Sequence, residues 1–205
     1  LNHNILYAVT DRKNLYIPLE SAVEQAIQGG VNIVQLREKY ISDNEIIKIA
    51  YKVKKICNQY NIPFIINDSV DIALEVGADG VHLGQKDENM HSARIRMGSS
   101  KIIGVSAKTP EQALAAEQSG ADYLGVGAAF PTSTKLDASG IDFYVYRQIK
   151  NAVNIPVIAI GGITIDNILQ LSGLGLDGVA VVSAIFSADN ITAAAEMLSK
   201  KIQLL

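Results

Sequence analysis

The stretch Gly77-Ala78-Asp79-Gly80-Val81-His82-Leu83-Gly84-Gln85 carries one unit of the fold. A glycine closes a helical segment, because it takes the left-handed conformation with no Cβ penalty. A short apolar run follows at once and ends in polar residues, Gly84-Gln85-Lys86-Asp87. The same punctuation returns at Gly120-Ala121-Asp122-Tyr123 and at Gly175-Leu176-Asp177-Gly178. Each instance reads as the end of a helix and the start of a strand.

Outward from these turns, apolar and β-branched runs recur along the whole chain. They predict strands at Ile5–Val9, Val31–Leu36, Pro63–Ile66, Gly80–Leu83, Lys101–Val105, Tyr123–Phe130, Pro156–Ile160 and Gly178–Val182. The runs are short and nearly unbroken in hydrophobicity, as strands buried on both faces are. Pro63 and Pro156 fall at the first residue of a strand, where proline is tolerated. Helical periodicity fills Leu19–Gln28, Asn44–Tyr60, Pro110–Ser119, Phe143–Ala152 and Ile191–Ile202. Thr109-Pro110-Glu111-Gln112 is in helix-start order: a cap, a first-turn proline and an early acid. Thr164-Ile165-Asp166 is a weaker version of it. Glu88–Met97 has poor periodicity and is expected to be partly irregular. Strand and helix thus alternate about eight times with no linker or change of composition. This predicts an α/β chain forming a single (β/α)8 barrel, a TIM barrel, over residues 1–205. A doubly wound open sheet needs fewer strands and usually carries a glycine-rich turn after the first. Here that strand runs into Val9-Thr10-Asp11-Arg12.

Composition fits a globular enzyme-sized chain. Of 205 residues, 48% are hydrophobic and 19% charged, with a formal net charge of −3. Disorder is excluded, and nothing in the charge favours nucleic acid or an anionic membrane as a partner. A single cysteine, Cys57, allows no intramolecular disulfide and reads as a small core residue. No apolar run approaches the roughly 20 residues that span a bilayer, so a soluble cytoplasmic protein is expected. The sequence carries no signal for an oligomeric state.

A barrel places its chemistry where strands end and strand-to-helix loops begin. Those ends are Asp11; Gln35-Leu36-Arg37-Glu38-Lys39; Asn67-Asp68; Gly84-Gln85-Lys86-Asp87; Ser106; Thr132-Ser133-Thr134-Lys135; Gly161-Gly162; and Ser183. Arg37, Lys39 and Lys135 bring three cations to one mouth. Glu38 offsets only part of that charge, which calls for an anionic ligand. Asp68 and Asp87 end neighbouring strands. Beside a polyanion they need a cation between them, and Mg2+ held by carboxylates and ligand phosphates fits. The competing reading is that Asp68 only caps the next helix, since Asn67-Asp68-Ser69 is good cap chemistry. His3, His82 and His91 lack zinc-ligand spacing, and His82 lies inside a strand, where a structural role is the expectation. Gly161-Gly162 and Val182-Ser183-Ala184 fall where barrels often bind phosphate through backbone N–H groups. Thr132 and Thr134 adjoin that site. Two anion sites in one mouth result, with no activated nucleophile.

Taken in order, several motifs resemble those of the thiamine phosphate synthase family. They are Leu6-Tyr7-Ala8-Val9-Thr10-Asp11, Gln35-Leu36-Arg37-Glu38-Lys39, Ile66-Asn67-Asp68, His82-Leu83-Gly84-Gln85 with Asp87, Gly104-Val105-Ser106, Pro131-Thr132-Ser133-Thr134-Lys135, Ile160-Gly161-Gly162-Ile163 and Val182-Ser183-Ala184-Ile185. The resemblance implies a (β/α)8 transferase that joins hydroxymethylpyrimidine diphosphate to hydroxyethylthiazole phosphate. Pyrophosphate is released, and the substitution is dissociative. By that resemblance Gln35, Leu36, Arg37, Glu38, Lys39, Asn67, Ser106 and Lys135 bind the pyrimidine diphosphate. Asp68 and Asp87 hold Mg2+, and Thr132, Ser133, Thr134, Gly162, Val182 and Ser183 bind the thiazole phosphate. Arg37, Lys39, Lys135 and Ser106 are the candidate catalytic residues. The segment Leu136–Gly140 looks a few residues shorter than its counterpart in the family. A thiazole tautomerase, a phosphosugar isomerase or epimerase, and a non-catalytic phosphate sensor are the rival readings. The tautomerase would need an acid/base residue and no diphosphate grip, the isomerase or epimerase would need facing acid/base residues at strand ends, and the sensor would keep the strand 7 and 8 site but could lose the metal carboxylates.

Overall fold

The computed structural model describes residues 4–13, 15–132 and 140–205. Its strands are β1 (Ile5–Val9), β2 (Ile33–Leu36), β3 (Phe64–Asn67), β4 (Gly80–Leu83), β5 (Ile102–Ala107), β6 (Tyr123–Gly127), β7 (Val157–Ile160) and β8 (Gly178–Val181). They close into an all-parallel barrel in chain order, with β8 pairing back onto β1 through Ile5↔Gly178. The helices are α1 (Leu19–Gln28), α2 (Asp43–Gln59), α3 (Val70–Glu75), α4 (Met90–Met97), α5 (Pro110–Gln118), α6 (Phe143–Ala152), α7 (Ser183–Phe186) and α8 (Ile191–Ile202). The expected single (β/α)8 barrel is therefore present.

Strand alternation divides the core into two. Ile5, Tyr7, Ile33, Ile65, Tyr123 and Ile158 point inward and fill the barrel. Leu6, Ala8, Val34, Leu36, Ile66 and Val81 point outward and pack beneath the helices. With both faces covered, a polar side chain within a strand needs a hydrogen-bond partner inside the barrel, as Gln35, His82 and Ser106 have.

The N-terminal rim repeats one device four times. The residue just before each even strand is Asn32, Asp79, Asp122 or Asp177. Its side chain accepts the N–H of a residue at the start of the preceding odd strand: Leu6 at 3.0 Å, Phe64 at 2.9 Å, Ile103 at 2.7 Å and Val157 at 2.8 Å. Its own N–H returns a bond to that residue's carbonyl. Each bridge satisfies a donor that no neighbouring strand reaches. The acid in the Gly-x-Asp turns is thus a strand-pairing clamp. Asp177 is the most buried of them and also takes Lys150 Nζ at 2.6 Å. Asp177→Ala would strand a buried N–H and an ammonium together. The expected cost is about 3 kcal/mol, or about 6–12 °C in Tm for a domain of this size. Asp177→Asn keeps the acceptor and is expected to lose less, and thermal unfolding of the two variants checks this.

Three local expectations are corrected. β6 ends at Gly127, not Phe130. The chain nonetheless keeps tracking the end of β7, because Ala129 and Phe130 donate to the carbonyls of Ile160 and Gly161. Met90–Met97 is a regular helix capped by Asn89. Before Gly175 the chain forms a 3-10 helix, Ile168–Leu171, where Thr164-Ile165-Asp166 suggested an α-helix start. Gly77, Gly120 and Gly175 do take positive φ, as their turn role requires.

Candidate active site

The C-terminal ends of the strands surround a cavity of about 330 Å³. Of the residues singled out from sequence, Gln35, Arg37, Asn67, Ser106, Thr132, Gly162, Val182 and Ser183 line it. Leu36 faces outward into the core under the helices, so only its backbone is available to a ligand. Ser133, Thr134, Lys135 and the segment 136–139 lie outside the described residues.

Glu38 has a different occupation from neutralising the mouth. Arg12, from the loop after β1, holds it through two bonds of 2.6 and 2.9 Å. Both belong to one bidentate pair, the strongest geometry for this couple. Because neighbours along an extended chain point to opposite sides, Glu38 turns away while Arg37 enters the cavity. The positive charge of Arg37 and Lys39 is thus left for a ligand or for the carboxylates beside them.

Those carboxylates are Asp68 and Asp87. Asp68 does not cap α3; Ser69 does, accepting the N–H of Ile72. Asp68 instead takes φ +65°, rare for a residue with a Cβ, and its N–H is tied to the carbonyl of His82 at 2.8 Å. Lys39 Nζ lies 3.9 Å from its carboxylate. The Asp68 carboxyl is pushed up to about 6, first by burial and then by Asp87, against the attraction of Lys39 and Arg37. Asp87 is fixed by the Gly84 N–H at 2.6 Å. Two carboxylates crowded this closely suit a hard cation between them. Among the described residues no group of three or more His, Cys, Asp or Glu forms a metal cage. The Asp68–Asp87 pair fits Mg2+, which takes one or two carboxylates and completes its shell with water and phosphate oxygens.

Across the cavity, Gly161 and Gly162 follow β7 with φ +97° and +67°. Asn167 clamps this turn by donating to the Gly162 carbonyl at 2.8 Å and accepting the Thr164 N–H at 2.8 Å. Val182 and Ser183 follow β8 and open the short helix α7. Sequence reasoning missed Asn167, and also Lys108, which enters the cavity one residue beyond β5. It also missed Tyr7 and Tyr123, which with His82 form the cavity floor. The tyrosines read as ordinary apolar strand residues, and no local signal marks them.

Fold and mouth together define the class: a (β/α)8 barrel with a polar-lined cavity at the C-terminal ends of its strands. The family described as thiamine monophosphate synthase matches residues 6–185, and the chain belongs to it. A thiamine-phosphate synthase of Clostridium tetani is 50% identical, covering 95% of this chain and 93% of that one. One from Alkaliphilus oremlandii is 49% identical, covering 98% and 99%. Among solved structures, a thiamine phosphate pyrophosphorylase of Pyrococcus furiosus superposes with a TM-score of 0.90 at 39% identity, covering 98% of this chain and 96% of that one. No helix among the described residues is long and apolar enough to cross a membrane.

Proposed function

We propose that the chain joins hydroxymethylpyrimidine diphosphate to hydroxyethylthiazole phosphate, releasing pyrophosphate and forming thiamine phosphate. One observation supports this reading beyond family membership: two chemically unlike rims, each suited to an anion, share one mouth. A cationic rim, Arg37 with Lys39 beside the Asp68–Asp87 pair, stands opposite a neutral rim of the Gly161-Gly162 and Val182-Ser183 turns. The first suits a diphosphate that gains charge as it leaves. The second suits a monoester phosphate held through backbone N–H groups and the Thr132 hydroxyl.

The residues then have distinct work. Gln35 and Asn67 orient the pyrimidine diphosphate, and Ser106 reaches the same ligand from β5. Arg37 and Lys39, with Lys135 by family resemblance, stabilise charge that grows on the departing pyrophosphate. They therefore favour the transition state over the bound substrate. Mg2+ held by Asp68 and Asp87 would supply further charge neutralisation at the leaving group. The thiazole nitrogen is nucleophilic as it stands, so the site needs no base to activate it. Holding the two reactants in line supplies much of the remaining acceleration.

Incubating the protein with both substrates and Mg2+ should give thiamine phosphate and pyrophosphate in equal amounts. Absence of both products would overturn the reading and move it to the tautomerase or the sensor. Omitting Mg2+ should leave only residual turnover.

A further inference from the structure

Beneath the cavity runs a buried hydrogen-bonded chain that crosses the barrel through side chains from five strands. Gln35 Nε2 donates to Tyr7 Oη at 2.8 Å. Tyr7 Oη meets Tyr123 Oη at 2.8 Å. Tyr123 Oη meets His82 Nδ1 at 2.9 Å, and His82 Nε2 meets Ser106 Oγ at 2.9 Å. Gln35, Tyr7 and Tyr123 are buried. The space is built for this arrangement. A Cβ at Gly104 would overlap the Tyr123 ring, and one at Gly125 would sit 2.9 Å from His82 Cε1. Glycines on β5 and β6 thus clear the room that the two rings occupy.

The proton inventory gives the chain a direction. Burial raises the pKa of both phenols, so each keeps its single proton. With the Gln35 amide donating, the Tyr7 proton goes to Tyr123. The Tyr123 proton then goes to His82 Nδ1. A neutral imidazole whose Nδ1 accepts carries its proton on Nε2 and donates to Ser106 Oγ. The Ser106 hydroxyl proton is left to point at whatever fills the cavity that Ser106 lines. Turning the Gln35 amide over would reverse every bond, and Ser106 would then spend its proton on His82.

We propose that Tyr123 is a positioning residue that, with its direction set by Tyr7 and Gln35, locks His82 in the Nε2–H tautomer and so commits Ser106 to donating its hydroxyl proton to the bound ligand. That the ligand is the pyrimidine diphosphate rests on the proposed function. The tautomer does not.

The test is nitrogen NMR of ligand-free protein labelled at histidine. The chain has three histidines, and His3→Gln with His91→Gln leaves the His82 signals alone. A pyrrole-type Nε2 and a pyridine-type Nδ1 are expected. Tyr123→Phe should mix the tautomers, and so should Tyr7→Phe, which removes the donor that orients the Tyr123 hydroxyl, whereas Tyr146→Phe, an equal loss of one buried hydroxyl outside the chain, should not. In turnover, Tyr123→Phe should lower kcat about tenfold with little change in KM, the loss of one hydrogen bond to a charged group. Adding Ser106→Ala to it should cost little more, because the two act through one bond. A protonated Nδ1 in the parent protein overturns the proposal. So does a Tyr123→Phe variant that loses only Tm, with tautomer and kcat unchanged. An Nε2–H tautomer in a protein that makes no thiamine phosphate leaves the chain standing and overturns the activity.

Discussion

Asp68→Ala and Asp87→Ala are each expected to lower Mg2+-dependent turnover about 10³-fold while the barrel stays folded, the scale of losing one preorganised electrostatic element at a charge-developing site. Ser69 rather than Asp68 caps α3, and Asp87 ties its own turn through Gly84, so neither replacement removes a helix cap. Asp68 in fact costs stability when no cation is present. Its carboxyl is raised to about 6 by burial and by Asp87, so the native state binds a proton more readily than the unfolded chain does. The sign follows from linkage. The metal-free protein is helped by this group at low pH and loses that help as pH climbs from about 4 through about 6. The side chain is 40% exposed, so solvent screening keeps the effect small. Asp68→Asn should accordingly raise Tm slightly without metal at pH 7.5 and remove the Tm gain that Mg2+ gives the parent. Full turnover in both alanine variants would contradict the metal assignment. A Tm gain from Mg2+ that survives in Asp68→Asn would contradict it independently.

That pairing was legible because both acids sit at strand ends, where a barrel displays its polar groups. The architecture was legible for the same reason: a wall buried on both faces forces unbroken apolar runs, and the chain shows eight. Where the reading slipped, polar bonds had replaced apolar packing. α4 buries only Ala93 and Met97, which leaves almost no stripe to detect. Its anchor is Arg94, whose guanidinium bonds the carbonyls of Gly98, Lys101 and Gly120 and the carboxylate of Asp122. Long-range partners were equally out of reach. Arg12 finds Glu38 across 26 positions and Tyr7 finds Tyr123 across 116. Periodicity reports which face a residue shows but not what it meets there. Hence His82, sensibly read as structural from its place in a strand, turns out to lie between a buried phenol and the Ser106 hydroxyl.

Gly162→Ala should damage the proposed thiazole phosphate site and the fold together. Gly162 has φ +67°, where a residue with a Cβ costs about 1–2 kcal/mol. Space adds to the strain, because the new Cβ would lie 2.6 Å from the Phe130 carbonyl oxygen and 2.5 Å from that of Pro131. Backbone carbonyls cannot rotate aside as a flexible side chain could, so the segment after β6 has to move. Phe130 is bonded to Gly161 and leads directly to Thr132, so the shift carries the cavity-lining Thr132 hydroxyl with it. Strain and overpacking together come to about 3 kcal/mol, or about 6–12 °C in Tm. A displacement near 1 Å is enough for a loss of about 10² in kcat/KM. The loss should fall on the thiazole phosphate, as a raised KM for that substrate, with the KM for the pyrimidine diphosphate nearly unchanged. The selectivity is the decisive part. The cationic rim on β2 to β4 does not touch the Phe130–Gly162 contact, so equal damage to both Michaelis constants would mean that the two anion sites are not the separate structures proposed here.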